Sequence, residues 1–390
     1  MKRRQGFRYR IYPTPEQVSR LESWQGALRF LWNLAHEQRL TGLARERRER
    51  RYPSAFAQIN ELKGIREELD WLADVPRNVC AQLLVELDKS WQRCFRKLAR
   101  QPRWKRKGRD WAPLCEPHPK VWRLDAEGSR LRFPKLGWTP VKLHRALEGT
   151  PKTCTITREH DQWFVSIVCE REVEAPAPPA GAPVALDRGV AVAVADSDGR
   201  MVQNPRFLRK QAKRLARAQR VVARRRKGSE NQKKARAKVA RLHRKVRRQR
   251  EHFLHHVSND YAKNHRIVVV EKLLVRNMTR SAKGTREAPG NHVRAKAGLN
   301  KAILDVGWGR LCQMLRYKCD WSGATLFEVA PNYSSQTCAA CSFVAKQSRR
   351  SQSQFVCVAC RHVANADVNA AEVLLSRGIH GGAVCGGSAV

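Results

Sequence analysis

At 390 residues and 42% hydrophobic side chains, the chain is long enough for roughly two to four domains with their own cores, and too apolar for a disordered tail. Its 77 Lys and Arg against 35 Asp and Glu give a formal net charge of +42, which makes a polyanion the expected partner, bound tightly and with strong salt dependence. Met1-Lys-Arg-Arg is followed by no apolar signal region, and no run reaches the roughly eighteen apolar residues of a membrane span. The expectation is a cytoplasmic nucleic-acid protein, nucleoid-associated when on DNA, with no membrane partner. A ribosome-associated structural protein would share this composition.

Residues 7–12 alternate basic and apolar side chains, as a short strand does. Thr14-Pro15-Glu16-Gln17 then offers an N-cap, a first-turn proline and the return partner of a capping box, so a helix begins there. Val18, Leu21, Leu28, Leu31 and Ala35 lie near helical spacing. A second helix follows Pro76, with Val79, Leu83, Leu87, Trp91, Cys94 and Leu98 in one apolar stripe. Both stripes suit a core and carry no chemistry. Between Pro102 and Trp111, cations interleave with indoles: Arg103, Trp104, Lys105, Arg106 and Lys107 can pair with phosphates and stack on bases. A solvated loop has the same composition. From 121 to 170 the pattern turns to strands at 130–133, 141–143, 153–157 and 163–169. Turns at Gly128, 134–137 and Gly149 punctuate them, predicting a small antiparallel barrel or sandwich.

The proline-rich stretch 172–183 reads as a linker, and a different domain follows. Val184-Ala-Leu-Asp187-Arg-Gly189 and the apolar run after it read as one strand carrying an acid and ending in a turn at Asp196-Ser-Asp-Gly199. An ionised acid in so apolar a run needs a partner, and a bound cation is the simplest one. Residues 206–250 hold 21 Lys and Arg against a single acid, Glu230. Leu208, Leu215 and Val222 repeat every seven, and Val239, Leu242, Val246, Phe253 and Val257 resume after Gly228-Ser229. This predicts two helices joined by a turn, with apolar stripes facing each other and cations outward. Arg209, Lys210, Lys213, Arg214, Arg217, Arg224, Arg225, Arg241, Arg244 and Arg248 are the candidate nucleic-acid contacts there. A solvated face is the alternative, although so dense a charge repels itself without a polyanion.

Ile267-Val-Val-Val-Glu271 is a second buried strand ending in a carboxylate. Residues 278–299 read as a mobile Gly/Lys-rich loop. Residues 300–319 read as one helix with Ile303, Leu304, Leu311, Met314 and Leu315 on its apolar side, and 324–329 as a third strand. Cys338-Ala-Ala-Cys341 and Cys357-Val-Ala-Cys360 follow, two C-x2-C pairs with fifteen residues between them. That spacing lets four thiolates close on one Zn²⁺. Disulfides, free thiols or a redox pair are the alternatives, disfavoured by the missing secretory signal and the scatter of the other cysteines. Asn365 starts a helix that stops at Gly378, placing Asp367 in its first turn, and 379–390 reads as a disordered tail.

Asp187, Glu271 and Asp367 therefore stand out as acids on or beside apolar elements. Strands joined by helices can bring such residues to one sheet edge, where three carboxylates would hold two Mg²⁺ (or Mn²⁺) ions. Each taken singly also suits a structural ion pair.

Over nearly its whole length the chain resembles the TnpB proteins of insertion sequences and the compact type V CRISPR effectors similar to them. The motifs are Arg10-Ile-Tyr-Pro-Thr-Pro-Glu-Gln17, Arg29-Phe-Leu-Trp-Asn33, Phe133-Pro-Lys-Leu-Gly-Trp138, Leu186-Asp-Arg-Gly189, Val270-Glu-Lys-Leu273, Pro331-Asn-Tyr-Ser-Ser-Gln-Thr-Cys338 and Asp367-Val-Asn-Ala-Ala371. The resemblance implies an α+β multidomain protein. Its wedge domain would take a first strand from 1–13 and a β-barrel from 119–171, with a helical recognition lobe at 14–118. After the linker at 172–183, an RNase H-like (RuvC) nuclease core would span 184–335 with the basic hairpin at 205–258. A zinc ribbon at 336–362, a final RuvC helix at 363–378 and the tail 379–390 complete it. Asp187, Glu271 and Asp367 match the family's metal-binding acids. Guide RNA and target DNA are the implied partners, Mg²⁺ (or Mn²⁺) and Zn²⁺ the implied metals, and RNA-guided DNA cleavage the implied activity. A silencer that occupies DNA without cutting it, or an RNA-independent transposase, would differ only in the chemistry. Ser342 and Arg361 stand where a glycine commonly follows each Cys pair in the family, so strained or loosened knuckle turns are expected. Asn365-Ala366 replaces a more polar pair before Asp367, leaving the support of that acid open.

Overall fold

The structure is a computed structural model that describes residues 1–44 and 52–381. It divides the chain into two compact units, Met1–Glu174 and Ala175–Val390, with the boundary inside the proline-rich stretch. No helix among the described residues is long and apolar enough to cross a membrane.

The first unit runs β1 (Lys2–Ile11), α1 (Pro15–Ala44), α2 (Ala55–Glu68), α3 (Asp70–Ala73), α4 (Arg77–Phe95), β2 (Leu114–Glu116), β3 (Arg123–Asp125), β4 (Arg130–Phe133), β5 (Gly137–Lys142), β6 (Thr150–Glu159) and β7 (Gln162–Glu172). The capping box forms: Gln17 N–H donates to Thr14 Oγ1 at 3.3 Å and Thr14 N–H to Gln17 Oε1 at 3.1 Å. Helices α2 and α3 have no counterpart among the predicted elements, because α2 buries only Gln58 and Leu62 and so shows no stripe in sequence. Leu98 lies beyond the end of α4, 70% exposed.

The strands form one antiparallel sheet in the order β2-β6-β7-β1-β5-β4-β3. The N-terminal strand lies at its centre, paired with β7 from Lys2↔Glu172 to Ile11↔Trp163. Phe7, Tyr9 and Ile11 point into the core and Arg8 and Arg10 away from it, the period-two alternation of a half-buried strand. Closure of a barrel between the end strands β2 and β3 is not among the pairings of the described residues. Ile11, Ile156 and Val165 of the sheet share one core with Trp24, Leu28 and Leu83 of the helices. The spans 14–118 and 119–171 are thus parts of one compact body, and β2, from the first span, pairs with β6. Arg39, fully buried on α1, donates to Asp88 on α4 and Gln58 on α2, both at 2.9 Å, tying three helices together.

The second unit runs β8 (Val184–Asp187), β9 (Val192–Asp196), β10 (Met201–Gln203), α5 (Phe207–Arg224), α6 (Glu230–Asn264), β11 (Ile267–Glu271), α7 (Val275–Met278), α8 (Val293–Val306), α9 (Trp308–Ser322), β12 (Thr325–Val329), β13 (Gln354–Val356), β14 (Val363–Asn365) and α10 (Ala366–Gly381). Its main sheet has the order β10-β9-β8-β11-β12. The first three strands are antiparallel, whereas β8, β11 and β12 run parallel.

Glycines account for three departures from the predicted elements. The run read as one strand from 184 is two, β8 and β9, which fold back on each other. A Cβ on Gly189 in the connection would sit 2.6 Å from the Val192 carbonyl oxygen, so only glycine allows the turn. The single helix read over 300–319 is broken into α8 and α9 at Gly307, whose φ of +83° ends the first. Gly378, read as a helix stop, lies inside α10, and a Cβ there would come within 2.4 Å of Val269 Cγ2. It is a packing glycine that lets the helix lie close on the sheet. The tail expected from 379 begins with the last residues of α10, and 382–390 lie outside the described residues.

The stretch read as a mobile loop is partly structured. An isolated bridge joins Gly284 and Pro289, and α8 begins at Val293. In the basic hairpin, Ser229 caps α6 by accepting the Gln232 N–H at 3.2 Å. Val246 and Val257 are buried, whereas Leu208, Leu215, Val222, Val239, Leu242 and Phe253 are only half-buried.

Candidate active site

Parallel pairing of β8 with β11 matches Val184 to Val268, Ala185 to Val269 and Leu186 to Val270. One step further along that register, Asp187 and Glu271 end their strands side by side. Helix α10 lies over the same two strands, with Leu374 packed on Ala185 and Val269, and carries Asp367 in its first turn. Asn365 caps this helix: its Oδ1 accepts the Asp367 N–H at 3.0 Å and the Val368 N–H at 3.4 Å. The polarity missing at Ala366 is therefore supplied by Asn365.

Asp187 senses the other two carboxylates. Burial first, then the charges of Glu271 and Asp367, push the Asp187 carboxyl up to about 7, against the opposing pull of Arg349 and Arg188. Burial also raises Glu271, opposed by the Arg188 charge and the Arg188 backbone N–H. Arg188 is itself 5% exposed, and its guanidinium donates to the carbonyl oxygens of Glu271 and, at 3.4 Å, of Trp308. Arg349 reaches from the cysteine region to pair with Asp367 at 2.9 Å. Glu271 is buried and Asp187 and Asp367 half-buried, and Arg188 and Arg349 offset part of their charge; carboxylate oxygens are the donors that hard divalent ions take.

The sulfur atoms of Cys338, Cys341, Cys357 and Cys360 all lie within 4.8 Å of one another, with 3.7 Å between Cys338 and Cys360 and 3.6 Å between Cys341 and Cys357. Four thiolates about 2.3 Å from a tetrahedral zinc would be about 3.8 Å apart, so the cluster fits Zn²⁺. The Cys360 N–H donates to Cys357 Sγ at 3.5 Å and draws that thiol down, whereas Cys338 and Cys341 are raised, as one thiolate among close sulfurs requires until a cation neutralises them. Each C-x2-C pair closes on itself in the same way. Ser342 N–H donates to the Cys338 carbonyl at 2.9 Å, and Arg361 N–H to the Cys357 carbonyl at 3.1 Å. Both turns demand the left-handed region, with φ of 61° at Ser342 and 63° at Arg361. The conformation that favours glycine is kept although the glycine is not.

Asn369 joins the cysteine cluster to the carboxylates. Fully buried on α10, it accepts the Ala339 N–H at 3.0 Å and donates to the Thr337 carbonyl at 2.8 Å, on either side of Cys338. Sequence reasoning gave no role to Asn369, Arg188 or Arg349. The first two stand inside motifs singled out for their acids, whereas Arg349 lies in an irregular segment where no periodicity marks it. A further buried acid, Asp196, is satisfied by the Tyr261 hydroxyl at 2.7 Å and the Arg200 N–H at 2.8 Å and belongs to the scaffold.

The candidate nucleic-acid residues fall in two places, one in each unit. In the first, the 103–107 segment is an irregular loop anchored on α1. Trp32 Nε1 donates to the Arg103 carbonyl at 3.1 Å, and Lys105 N–H to Asn33 Oδ1 at 2.8 Å. Lys105 Nζ sits 4.4 Å from the Trp32 ring centre and Trp104 edges against His36, so these two side chains are engaged within the protein. Arg103, Arg106 and Lys107 are exposed. In the second, Arg209, Lys210, Lys213, Arg214, Arg217, Arg224, Arg225, Arg241 and Arg248 are exposed along α5 and α6 and just beyond α5, and Arg244 is half-buried.

Three family models match the chain: one described as "Helix-turn-helix domain" over residues 1–48, one as "Probable transposase" over 166–282, and one as "Cas12f1-like, TNB domain" over 308–374. A solved structure of a Cas12f1–sgRNA–target DNA complex is similar with a TM-score of 0.52 at 12% identity, over 96% of this chain and 98% of that one. Fold and cysteine cluster together define a mixed α/β protein of the compact Cas12 type, with a four-cysteine site fit for zinc. "Putative RNA-guided DNA endonuclease InsQ" of Escherichia coli (strain K12) is 38% identical over 386 residues, covering 99% of this chain and 95% of the relative. A "Putative RNA-guided DNA endonuclease" of Streptomyces pristinaespiralis is 34% identical over 397 residues, covering 98% and 91%. The chain belongs to the TnpB family.

Proposed function

We propose that the protein is an RNA-guided DNA endonuclease that hydrolyses phosphodiester bonds of guide-matched DNA next to a short flanking motif. What supports this is the register that ends β8 and β11 at Asp187 and Glu271 side by side, together with the charges of Glu271 and Asp367 that both raise Asp187. On this view Ala175–Val390 is the RuvC-like nuclease core with its zinc ribbon, and Met1–Glu174 supplies recognition and wedge functions. The three acids would hold two Mg²⁺ (or Mn²⁺) ions, and Cys338, Cys341, Cys357 and Cys360 one Zn²⁺. Divalent ions at such a site lower the pKa of an attacking water and stabilise a leaving oxygen.

The chain's own groups prepare the site. Asp187, pushed up to about 7, is protonated in part at neutral pH and would have to give up that proton to hold a cation. Arg188 fixes the backbone at the end of β11 through the Glu271 carbonyl oxygen. Arg349, paired with Asp367, would bring a guanidinium to a phosphate bound beside that acid. The cations of α5 and α6 would lie along RNA or heteroduplex phosphates, while base pairing with the guide reads sequence.

Incubating the protein with its copurifying RNA, a matched DNA and Mg²⁺ tests this. Cleavage is expected, with Asp187→Ala abolishing it and RNA binding retained. A protected footprint without a cut would make the protein a silencer instead, and cutting by RNA-free protein would remove the guide from the mechanism.

A further inference from the structure

The pairing of β8 with β11 ends at Leu186 and Val270, and Asp187 and Glu271 stand just past it. Residues 188–191 then turn the chain back toward β9, outside any strand. Gly189 in that turn cannot carry a side chain, since a Cβ there would come 2.6 Å from the Val192 carbonyl oxygen. A turn built on glycine has no side chain of its own to anchor it at that point and takes its fixing from elsewhere in the fold.

Trp308 stands beside this turn. It is the first residue of α9, is 5% exposed, and its indole Nε1 donates to the Gly189 carbonyl oxygen at 3.2 Å. The contact is returned by Arg188, also 5% exposed. One nitrogen of its guanidinium donates to the Trp308 carbonyl oxygen at 3.4 Å and the other to the Glu271 carbonyl oxygen. The buried indole and the buried guanidinium thus link the backbone two residues beyond Asp187 to the backbone of Glu271. Trp308 also shares a core with Ala193 of β9 and with Ile303 and Val306 of α8. Val190 from the turn and Leu273 and Val275 from beyond Glu271 pack against that core. The segments that leave both acids therefore come to rest on it. Gly307, with a φ of +83°, ends α8 and sets where α9, and Trp308 with it, begins.

We propose that Trp308 is a positioning residue for the carboxylate site. Its N–H holds the turn after Asp187, and its link through Arg188 keeps that turn in register with the end of β11. An apolar ring would be enough to fill the core; the N–H is what fixes the turn, because without it the Gly189 carbonyl oxygen loses its donor. Groups that orient metal ligands from behind act on affinity in this way. The proposal rests on the reading of Asp187 and Glu271 as acids that hold divalent ions, and its test separates the two.

Full-length RNA-free protein supplied with zinc would be titrated with Mn²⁺, with free Mn²⁺ followed by its EPR signal and Asp187→Ala defining binding outside the acids. Trp308→Phe keeps an apolar ring and removes the N–H. Mn²⁺ affinity at the Asp187-dependent site is expected to fall at least about tenfold in this variant. Ile303→Val loosens the same core and leaves the N–H in place, so its Mn²⁺ affinity should stay within about twofold of the wild type. In metal-free protein, hydrogen exchange of the segment 187–192 should be at least about fivefold faster in Trp308→Phe and unchanged in Ile303→Val. Unchanged Mn²⁺ affinity or unchanged exchange in Trp308→Phe, or equal losses in the two variants, overturns the proposal. A wild type with no Asp187-dependent Mn²⁺ binding would instead sink the reading of the acids, and the exchange measurement then decides by itself whether Trp308 holds the turn. Should Trp308→Phe not fold, benzothienylalanine at position 308, which keeps the bicyclic ring and lacks only the N–H, repeats the test.

Discussion

In the folded chain Asp187 keeps its proton up to about pH 7, whereas in an unfolded chain it loses it near pH 4. Without divalent ions the native state therefore becomes less stable as pH rises between these values, by on the order of 4 kcal/mol in total. Asp187→Asn removes the titration. Its stability advantage over the wild type in metal-free urea unfolding should be about 2 kcal/mol larger at pH 8 than at pH 5.5, and Mg²⁺ should narrow it by stabilising only the wild type. An advantage that does not change with pH would show that the carboxyl is not held protonated. Ser342 and Arg361 are a second residue-scale case, each forced to a positive φ by the knuckle it closes. Ser342→Gly or Arg361→Gly should each relieve about 1 kcal/mol, read as roughly fivefold tighter zinc in competition with a chelator.

At the scale of elements, β8 and β11 bring two acids together by register alone, but the third depends on where α10 begins. That start is set by Asn365 as cap and by Asn369 as the bond between helix and cysteine cluster. Asn369→Ala would leave the Ala339 N–H and the Thr337 carbonyl unpaired in a buried place, at about 1–3 kcal/mol each. Zinc content is expected to stay at one per chain while matched-target cleavage falls at least tenfold, because the ligands survive and the position of Asp367 does not. Metal analysis alongside a cleavage assay checks this, and loss of zinc together with activity would instead make Asn369 part of the cysteine site's own stability. Helix α5 adds an element of another kind. Arg209, Lys213, Arg217 and Arg224 are exposed and recur at intervals that keep them on one side of the helix.

For the molecule as a whole, a net charge of +42 makes salt the main control on binding. Replacing those four α5 cations by Gln should reduce the slope of log affinity against log salt for the copurifying RNA by about 3, at about 0.7–0.9 for each phosphate that is no longer neutralised. An unchanged slope would place the RNA elsewhere. The excess of basic residues, the cysteine spacing, the capping box at Thr14 and the acids at the ends of apolar runs were all legible in the chain, because each is written in composition or in neighbouring residues. The sequence could equally mark Asp187, Glu271 and Asp367 as candidates, since carboxylates in apolar surroundings need a reason. It could not show that the helices and sheet of the first unit share one core, nor that Gly189 turns a strand back while Gly378 lets a helix pass. A glycine states only that a side chain is missing; what would have collided with it comes from distant parts of the chain. Arg349 and Asn369 remained silent for the same cause. Local composition and period determined which elements and which chemistries were available, and only tertiary packing decided which of them meet, because the contacts that raise Asp187 and seat Asp367 join residues far apart in sequence.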